Sequence, residues 1–321
     1  MSAAGGHPSR AAIVATAQET IARGSKSFAA ASRLFDRKTR ERAWLLYAWC
    51  RACDDIADAQ ELGHGAVKVV NGPARIAAIR EATEEALAGR WVGDAAFDGL
   101  RILLTEVAIP RTFIDDLIAG FAMDAEDWRP RSEADLLTYC YHVAGVVGCM
   151  MAVVMGVSPD DEETLDRACD LGLAFQLANI ARDIEEDDRA DRCYLPLEWL
   201  AEMDIPPGEH MKPPFRSRLV VLARRLTDLA EIYADSARAG AAKLPFRSAW
   251  AVLAAAGIYG GIARKVAAAG EHAWDHRTTT RPAEKLAATA RAAVDAARLK
   301  QQSQPAPRPG DLWTRPKITS A

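Results

Sequence analysis

The chain is short of the residues that build disulfide-stapled, zinc-binding or nucleic-acid-binding proteins. Its 321 residues include only six cysteines and six histidines. The one close cysteine pair, Cys50 and Cys53, falls on a single predicted helix, and no second Cys or His pair completes a zinc site. These read as reduced core thiols of a cytosolic protein. Basic excess is missing as well: a net charge of −4 and a pI near 5.9 leave no electrostatic footprint for nucleic acid, so no nucleic-acid partner is expected. The opening Met1-Ser-Ala-Ala-Gly-Gly-His-Pro8 lacks the apolar stretch of a signal peptide. Sustained period-two alternation is absent, which argues against a sheet-built core, and no glycine-rich nucleotide fingerprint follows a predicted strand.

What is present is helical. Half of the chain is hydrophobic, enough to bury a large core, and Ala, Leu, Arg and Glu are abundant. Punctuation falls at Asn71-Gly72-Pro73, Ile109-Pro110, Arg129-Pro130, Ser158-Pro159, Pro206-Pro207-Gly208, Pro213-Pro214, Leu244-Pro245 and Arg281-Pro282, leaving segments of bundle-helix length between them. The expected fold is a single all-α domain over residues 16–299, with helices around a central apolar cavity. Flexible segments are expected at 1–15 and in the Gln-, Pro- and Arg-rich stretch 300–321.

Two polar stripes stand out. Tyr47, Arg51, Asp54 and Asp58 step by four, three and four; Gln176, Asn179, Asp183 and Asp187 step by three, four and four. With about 3.6 residues per turn, each set lies on one helix face. Apolar segments, Trp44 to Cys53 and Leu171 to Ala178, run directly into them, so the acids belong at the edge of a core. A solvated helix face accounts for one such motif alone; two behind apolar helices ask for a compensating positive charge. Magnesium favours oxygen ligands and is held by one or two carboxylates together with substrate phosphates, which suits these short acidic sets.

Between the stripes, Leu136 to Val157 has no formally charged side chain other than His142, and its length nearly crosses a bilayer. Tyr139, Cys140, Tyr141 and His142, with Ala144, Gly145 and Gly148 interrupting the run, favour a helix buried at the heart of an all-α fold. Peripheral contact with a membrane is a separate matter and stays open.

Five segments in order carry a resemblance: Gly24-Ser-Lys-Ser-Phe28, Tyr47-Ala-Trp-Cys-Arg-Ala-Cys-Asp-Asp-Ile-Ala-Asp58, Tyr139-Cys-Tyr-His-Val-Ala-Gly-Val-Val-Gly148, Gln176-Leu-Ala-Asn-Ile-Ala-Arg-Asp-Ile-Glu-Glu-Asp187 and Arg192-Cys-Tyr-Leu-Pro196. From about Gly24 to Leu286 the chain resembles the squalene and phytoene synthases, head-to-head prenyl transferases of the isoprenoid synthase fold. The segment Ala273 to Leu286 and the region of Leu312-Trp313 look like the bacterial phytoene synthases. One departure is Asp191, where the family often has Gly, and it bears on the local turn.

The resemblance implies that Asp54, Asp58, Asn179, Asp183 and Asp187 bind magnesium, with manganese as a substitute, and that these acids are the catalytic ones. It implies substrate contacts for Ser25, Lys26, Ser27, Phe28, Tyr47, Arg51, Gln176, Arg182, Tyr194 and Tyr259. For either Arg an ion pair with neighbouring acids competes with phosphate contact, and tyrosines are often simply core residues. The segment from Leu136 would line a hydrocarbon tunnel, with Ala144, Gly145 and Gly148 removing bulk for the tail or for close helix packing. The implied reaction joins two geranylgeranyl diphosphates through prephytoene diphosphate to phytoene, without NADPH, in a cytoplasmic enzyme for which membrane association is compatible. The alternatives are a synthase of squalene or dehydrosqualene type using two farnesyl diphosphates, and a non-catalytic assembly protein of the same fold. No residue pattern specifies an oligomeric state.

Overall fold

The structure, a computed structural model, describes residues 7–58, 71–126, 128–301 and 306–317. Among these residues there are helices and no strands. The first, α1 (Arg10–Gly24), is capped by Ser9, whose hydroxyl accepts from the Ala12 N–H. After it come α2 (Lys26–Ser32) and the long α3 (Arg37–Asp58), then α4 (Gly72–Leu87), α5 (Ala95–Glu106) and α6 (Arg111–Ala125). The central apolar run forms α7 (Glu133–Cys140), a π-turn at Tyr141–Gly145 and α8 (Val146–Val154). The longest helix, α9 (Glu162–Arg189), precedes the short α10 (Leu197–Glu202), and α11 (Arg216–Gly240), α12 (Phe246–Ala269) and α13 (Pro282–Leu299) complete the order.

Several prolines in the sequence fall at helix entrances, whereas Pro206-Pro207 sits in a turn after α10. Pro110, Pro196 and Pro245 stand just before α6, α10 and α12, and Pro73 and Pro282 sit in the first turns of α4 and α13. There the missing N–H costs nothing, because first-turn donors have no partner within the helix. Ser132 and Asp161 cap α7 and α9 by accepting from Asp135 and Thr164.

Helix α9 is the axis of the bundle. Leu165, Leu173 and Leu177 on it are fully buried, and α8, α11 and α12 pack along it. The segment Glu133–Val154 is long and apolar enough to cross a membrane, as is Phe246–His272, yet Leu136, Cys140, Val146 and Met150 of the first lie wholly within the protein. This matches the expectation of a central buried helix. The approach of α8 to α9 leaves no room for side chains: a Cβ on Gly148 would stand 2.2 Å from the Ala168 carbonyl oxygen, and one on Gly172 would stand 2.3 Å from that of Ala144. Gly145 meets the Cys169 sulfur in the same way, at 2.9 Å. For Gly145 the observed role is therefore close helix packing.

Both stretches expected to be flexible contain packed structure among the described residues. Helix α1 begins at Arg10, inside the stretch 1–15, because Ile13 and Val14 reach the core. Residues 306–317 pack as a strap across α9 and α11. Arg308 forks onto the fully buried Asp170 with two contacts of 2.8 Å, and Ser236 donates to the same carboxylate at 2.6 Å. Arg315, also buried, meets Glu162 at 2.6 Å and Asp166 at 3.1 Å. Its polar composition suggested mobility, but the arginines have buried or half-buried acids to answer, and a bidentate guanidinium holds such partners well.

The helix crossing gives a paired test. Gly172→Ala is expected to destabilise the protein by about 1–3 kcal/mol through overpacking. Gly261→Ala, on α12 where a Cβ meets nothing within 4 Å, is expected to stabilise it by about 0.5–1 kcal/mol. Chemical denaturation midpoints measure both, and equal midpoints for the two variants would contradict the crossing.

Candidate active site

One cavity, of about 550 Å³, runs through the middle of the bundle. Its wall is a set of helical stripes. From α9 it takes Thr164, Arg167, Leu171, Phe175, Asn179, Asp183 and Asp187; from α3, Ala43, Tyr47, Arg51 and Asp54; from the central segment, Tyr139, Val143, Val147, Met151 and Met155. Each set recurs every three or four residues, so it forms a stripe along its helix that drifts by about 40° with each step of four. The stripes share a polarity. The ends carrying Asp54, Asp183 and Asp187 gather at one end of the cavity, and Ala43, Met155 and Thr164 close the other.

At the polar end, Asp54, Asn179, Asp183 and Asp187 come together as their spacing predicts, and Gln176, Tyr47 and Arg51 share the wall. Asp58 is the last residue of α3, and its side chain lies outside the described residues. Arg51 pairs with Asp54 and reaches 4.0 Å from Asp55. Arg182 pairs with Asp183 through Nε at 2.7 Å and through a second, shorter contact, standing behind the cavity wall. Both ion pairs are the local partnerships that competed with phosphate contact in the sequence.

Ser25, Lys26 and Ser27 are not part of the cavity wall. The Ser25 hydroxyl oxygen caps α2 by accepting from the Phe28 N–H at 3.3 Å, and Ser27 accepts from Lys285 at 2.9 Å. Gly24 has a steric reason: a Cβ there would stand 2.6 Å from the Tyr47 hydroxyl. Phe28 does line the cavity, in a group of four rings with Tyr47, Phe175 and Tyr259. Phe175 and Tyr259 stack with centroids 4.2 Å apart, and Phe28 lies 5.6 Å from Tyr259. Burial pushes the Tyr259 phenol up to about 12, so it stays neutral in ordinary conditions.

Four residues here were not singled out as site residues from the sequence. Asp124 on α6 accepts from the Tyr139 hydroxyl at 3.0 Å and from that of Tyr194 at 2.9 Å, and the two rings stack at 4.8 Å. Its signal was the stripe Leu117, Phe121, Asp124, apolar for two turns and then acidic, which repeats on a small scale the pattern of the two recognised motifs. Arg192 lines the polar end, and Arg277 reaches Asp183 at 3.3 Å and also pairs with Glu186. Phe175 immediately precedes Gln176. Asp191 adopts φ 60°, the left-handed turn that Gly enters freely and that Asp tolerates better than most residues.

The electrostatics are those of an anion-crowded pocket. Burial, Asp183 and Asp124 raise the Asp187 carboxyl to about 8, with Arg192 opposing the shift. Among the described residues no three acidic, His or Cys side chains already form a closed cation cage. The donors nevertheless fit a hard divalent cation that arrives with an oxygen-rich ligand: carboxylates from α3, α6 and α9 and the Asn179 amide face one space, and a cation there would relieve their repulsion. Below them the wall turns apolar and aromatic, suited to hydrocarbon.

Comparison with known proteins gives the family and the fold. The family model described as squalene/phytoene synthase matches residues 21–302. The chain is 47% identical over 302 residues to 15-cis-phytoene synthase of Pantoea ananas, covering 94% of this chain and 97% of that one. It is 43% identical over 305 residues to a protein of the same name from a Paracoccus species, with coverages of 95% and 98%. The fold matches a crystal structure of a dehydrosqualene synthase with a TM-score of 0.80 at 23% identity, over 91% of this chain and 98% of that one. With an all-helical isoprenoid synthase fold, two acidic stripes at one end of an apolar cavity and identity along nearly its whole length, the chain belongs to the squalene/phytoene synthase family.

Proposed function

We propose that this chain condenses two geranylgeranyl diphosphates head to head into phytoene by way of prephytoene diphosphate, releasing two diphosphates. The carrying observation is a continuous cavity that passes along α9 from carboxylates and arginines, through apolar and aromatic walls, to Arg167 at its far end. Arg167 and Asp183 are sixteen residues apart on that helix, about 24 Å at ~1.5 Å per residue. A 20-carbon prenyl tail has sixteen main-chain carbons and reaches about 19 Å with carbon–carbon bonds of ~1.5 Å in a zigzag. That leaves several ångströms for a diphosphate at the acidic end, whereas a 15-carbon tail, about 14 Å by the same estimate, would leave the floor empty. Near relatives named 15-cis-phytoene synthase support the same substrate length.

Asp54, Asn179, Asp183 and Asp187, with Asp58 as the sequence motif implies, would hold magnesium together with the substrate diphosphates, and the ion would supply positive charge to the departing pyrophosphate. The residues of the chain do the rest. Arg51 and Arg192 on the cavity wall give phosphate oxygens guanidinium partners, and Arg182 and Arg277 buffer Asp183 from behind. Phe28, Tyr47, Phe175 and Tyr259 present ring faces to the allylic carbons, where positive charge grows as the carbon–oxygen bond breaks. Apolar walls from α8 and α9 keep water from the cations. Asp124 fixes the phenols of Tyr139 and Tyr194 beside the polar end. The sequence of ionisation, cyclopropane formation, second ionisation and proton loss needs no reductant. The reading keeps a cytoplasmic location with peripheral membrane contact, as greasy substrates and a greasier product ask.

Purified protein given magnesium and either the 15- or the 20-carbon diphosphate is expected to form a 40-carbon product from the longer one. A 30-carbon product alone would replace this reading with the farnesyl diphosphate alternative. Asp54→Asn and Asp183→Asn are each expected to lower turnover by more than about 100-fold, as loss of transition-state charge stabilisation does, while the helical circular-dichroism spectrum stays unchanged. Full activity in both would remove the assigned metal roles.

A further inference from the structure

The apolar end of the cavity is closed by an arginine. Phe35, Met155, Thr164 and Leu244 line that end, and Arg167 is the one charged side chain among the described residues lining it. It is 2% exposed. Its stem crosses Gly240, where a Cβ would lie 2.7 Å from the Arg167 Cβ and 2.9 Å from its Cδ. Its guanidinium is tied on the far side: Nη1 donates to the Ser236 carbonyl oxygen at 3.0 Å, Nη2 donates to the Ala306 carbonyl oxygen, and Glu163 stands 3.6 Å away. Ala306 opens the strap that Arg308 and Arg315 fasten to Asp170, Glu162 and Asp166.

We propose that Arg167, locked by the C-terminal strap, is the stop that sets how long a prenyl tail this enzyme accepts. An apolar floor of Leu or Met repacks when a tail presses on it, since such side chains change rotamer at little cost. Arg167 cannot yield in that way. Moving it would strip hydrogen bonds from two carbonyls and bring a bare guanidinium against hydrocarbon, and both changes are costly away from water. Trimming it would open the lane beside Gly240 toward Ser236 and let the tail run further. The strap, remote from the acids, thereby takes part in choosing the substrate.

This rests on the reading of the cavity as a prenyl-tail site, and the test separates the two. Wild type, Arg167→Ala and Ala168→Leu are assayed for kcat/KM with 15-, 20- and 25-carbon prenyl diphosphates, and products are sorted by carbon number. Arg167→Ala is expected to raise the preference for the 25-carbon over the 20-carbon substrate by roughly tenfold or more, the scale on which apolar pockets discriminate by small changes in length. Ala168→Leu, which adds bulk to the neighbouring wall, is expected to move the preference from 20 toward 15 carbons. Unchanged ratios in an active Arg167→Ala protein overturn the proposal. Should that variant fail to fold, Arg167→Met, which keeps an apolar stem and drops the guanidinium, is judged by the same ratio. A wild type that prefers 15 carbons overturns the geranylgeranyl reading alone, and the stop is then tested by the 20-to-15 ratio.

Discussion

Repulsion among Asp54, Asp124, Asp183 and Asp187, gathered at one end of a largely apolar cavity, sets the terms for the rest of the molecule. Arg51 answers Asp54, Arg182 and Arg277 answer Asp183, and burial, with Asp183 beside it, raises the Asp187 carboxyl to about 8. The resting protein is thus an anion-crowded pocket kept in balance by borrowed cations. In the proposed reaction a metal-bound diphosphate would offer the carboxylates positive charge and free the guanidiniums for phosphate oxygens. Binding energy and the charge needed for ionisation would then come from one exchange of partners.

That exchange needs a frame that does not relax, and the packing supplies one. Gly148 and Gly172 bring α8 and α9 to backbone contact, and Asp124 pins Tyr139 and Tyr194 from α6. On the strap side, Arg308 and Arg315 use the buried Asp170 and the half-buried Glu162 of α9 itself to hold residues 306–317. The first three turns of the helix that bears the second acidic stripe, residues 162–172, are therefore held by both the central segment and the strap.

Much of this was legible in the sequence because helical periodicity is a local property. The stripes Tyr47 to Asp54 and Gln176 to Asp187 needed only spacing to be assigned to one face each, and several proline positions marked helix entrances. What escaped was set by tertiary partners. Asp124 gains meaning only when Tyr139 and Tyr194, distant in sequence, come to it. Ser25 and Ser27, read as phosphate donors, are engaged by a helix cap and by Lys285. The strap looked mobile because polar composition does not reveal that Asp166 and Asp170 wait on another helix. Gly145 resembled tunnel-widening by its size alone, and only its distance to Cys169 told the two uses apart.

Helix α9 carries Asp183 and Asp187, the aromatic ring of Phe175 and the arginine floor along one stripe that winds slowly about its axis. Inserting a single residue between Arg167 and Asp183 would rotate everything beyond it by roughly 100° about the axis and swing the carboxylates out of the cavity. Deleting one would do the same in the other direction. Descendants of this sequence are therefore free to vary their hydrocarbon capacity by swapping side chains along the ruler, but not by lengthening or shortening the ruler itself.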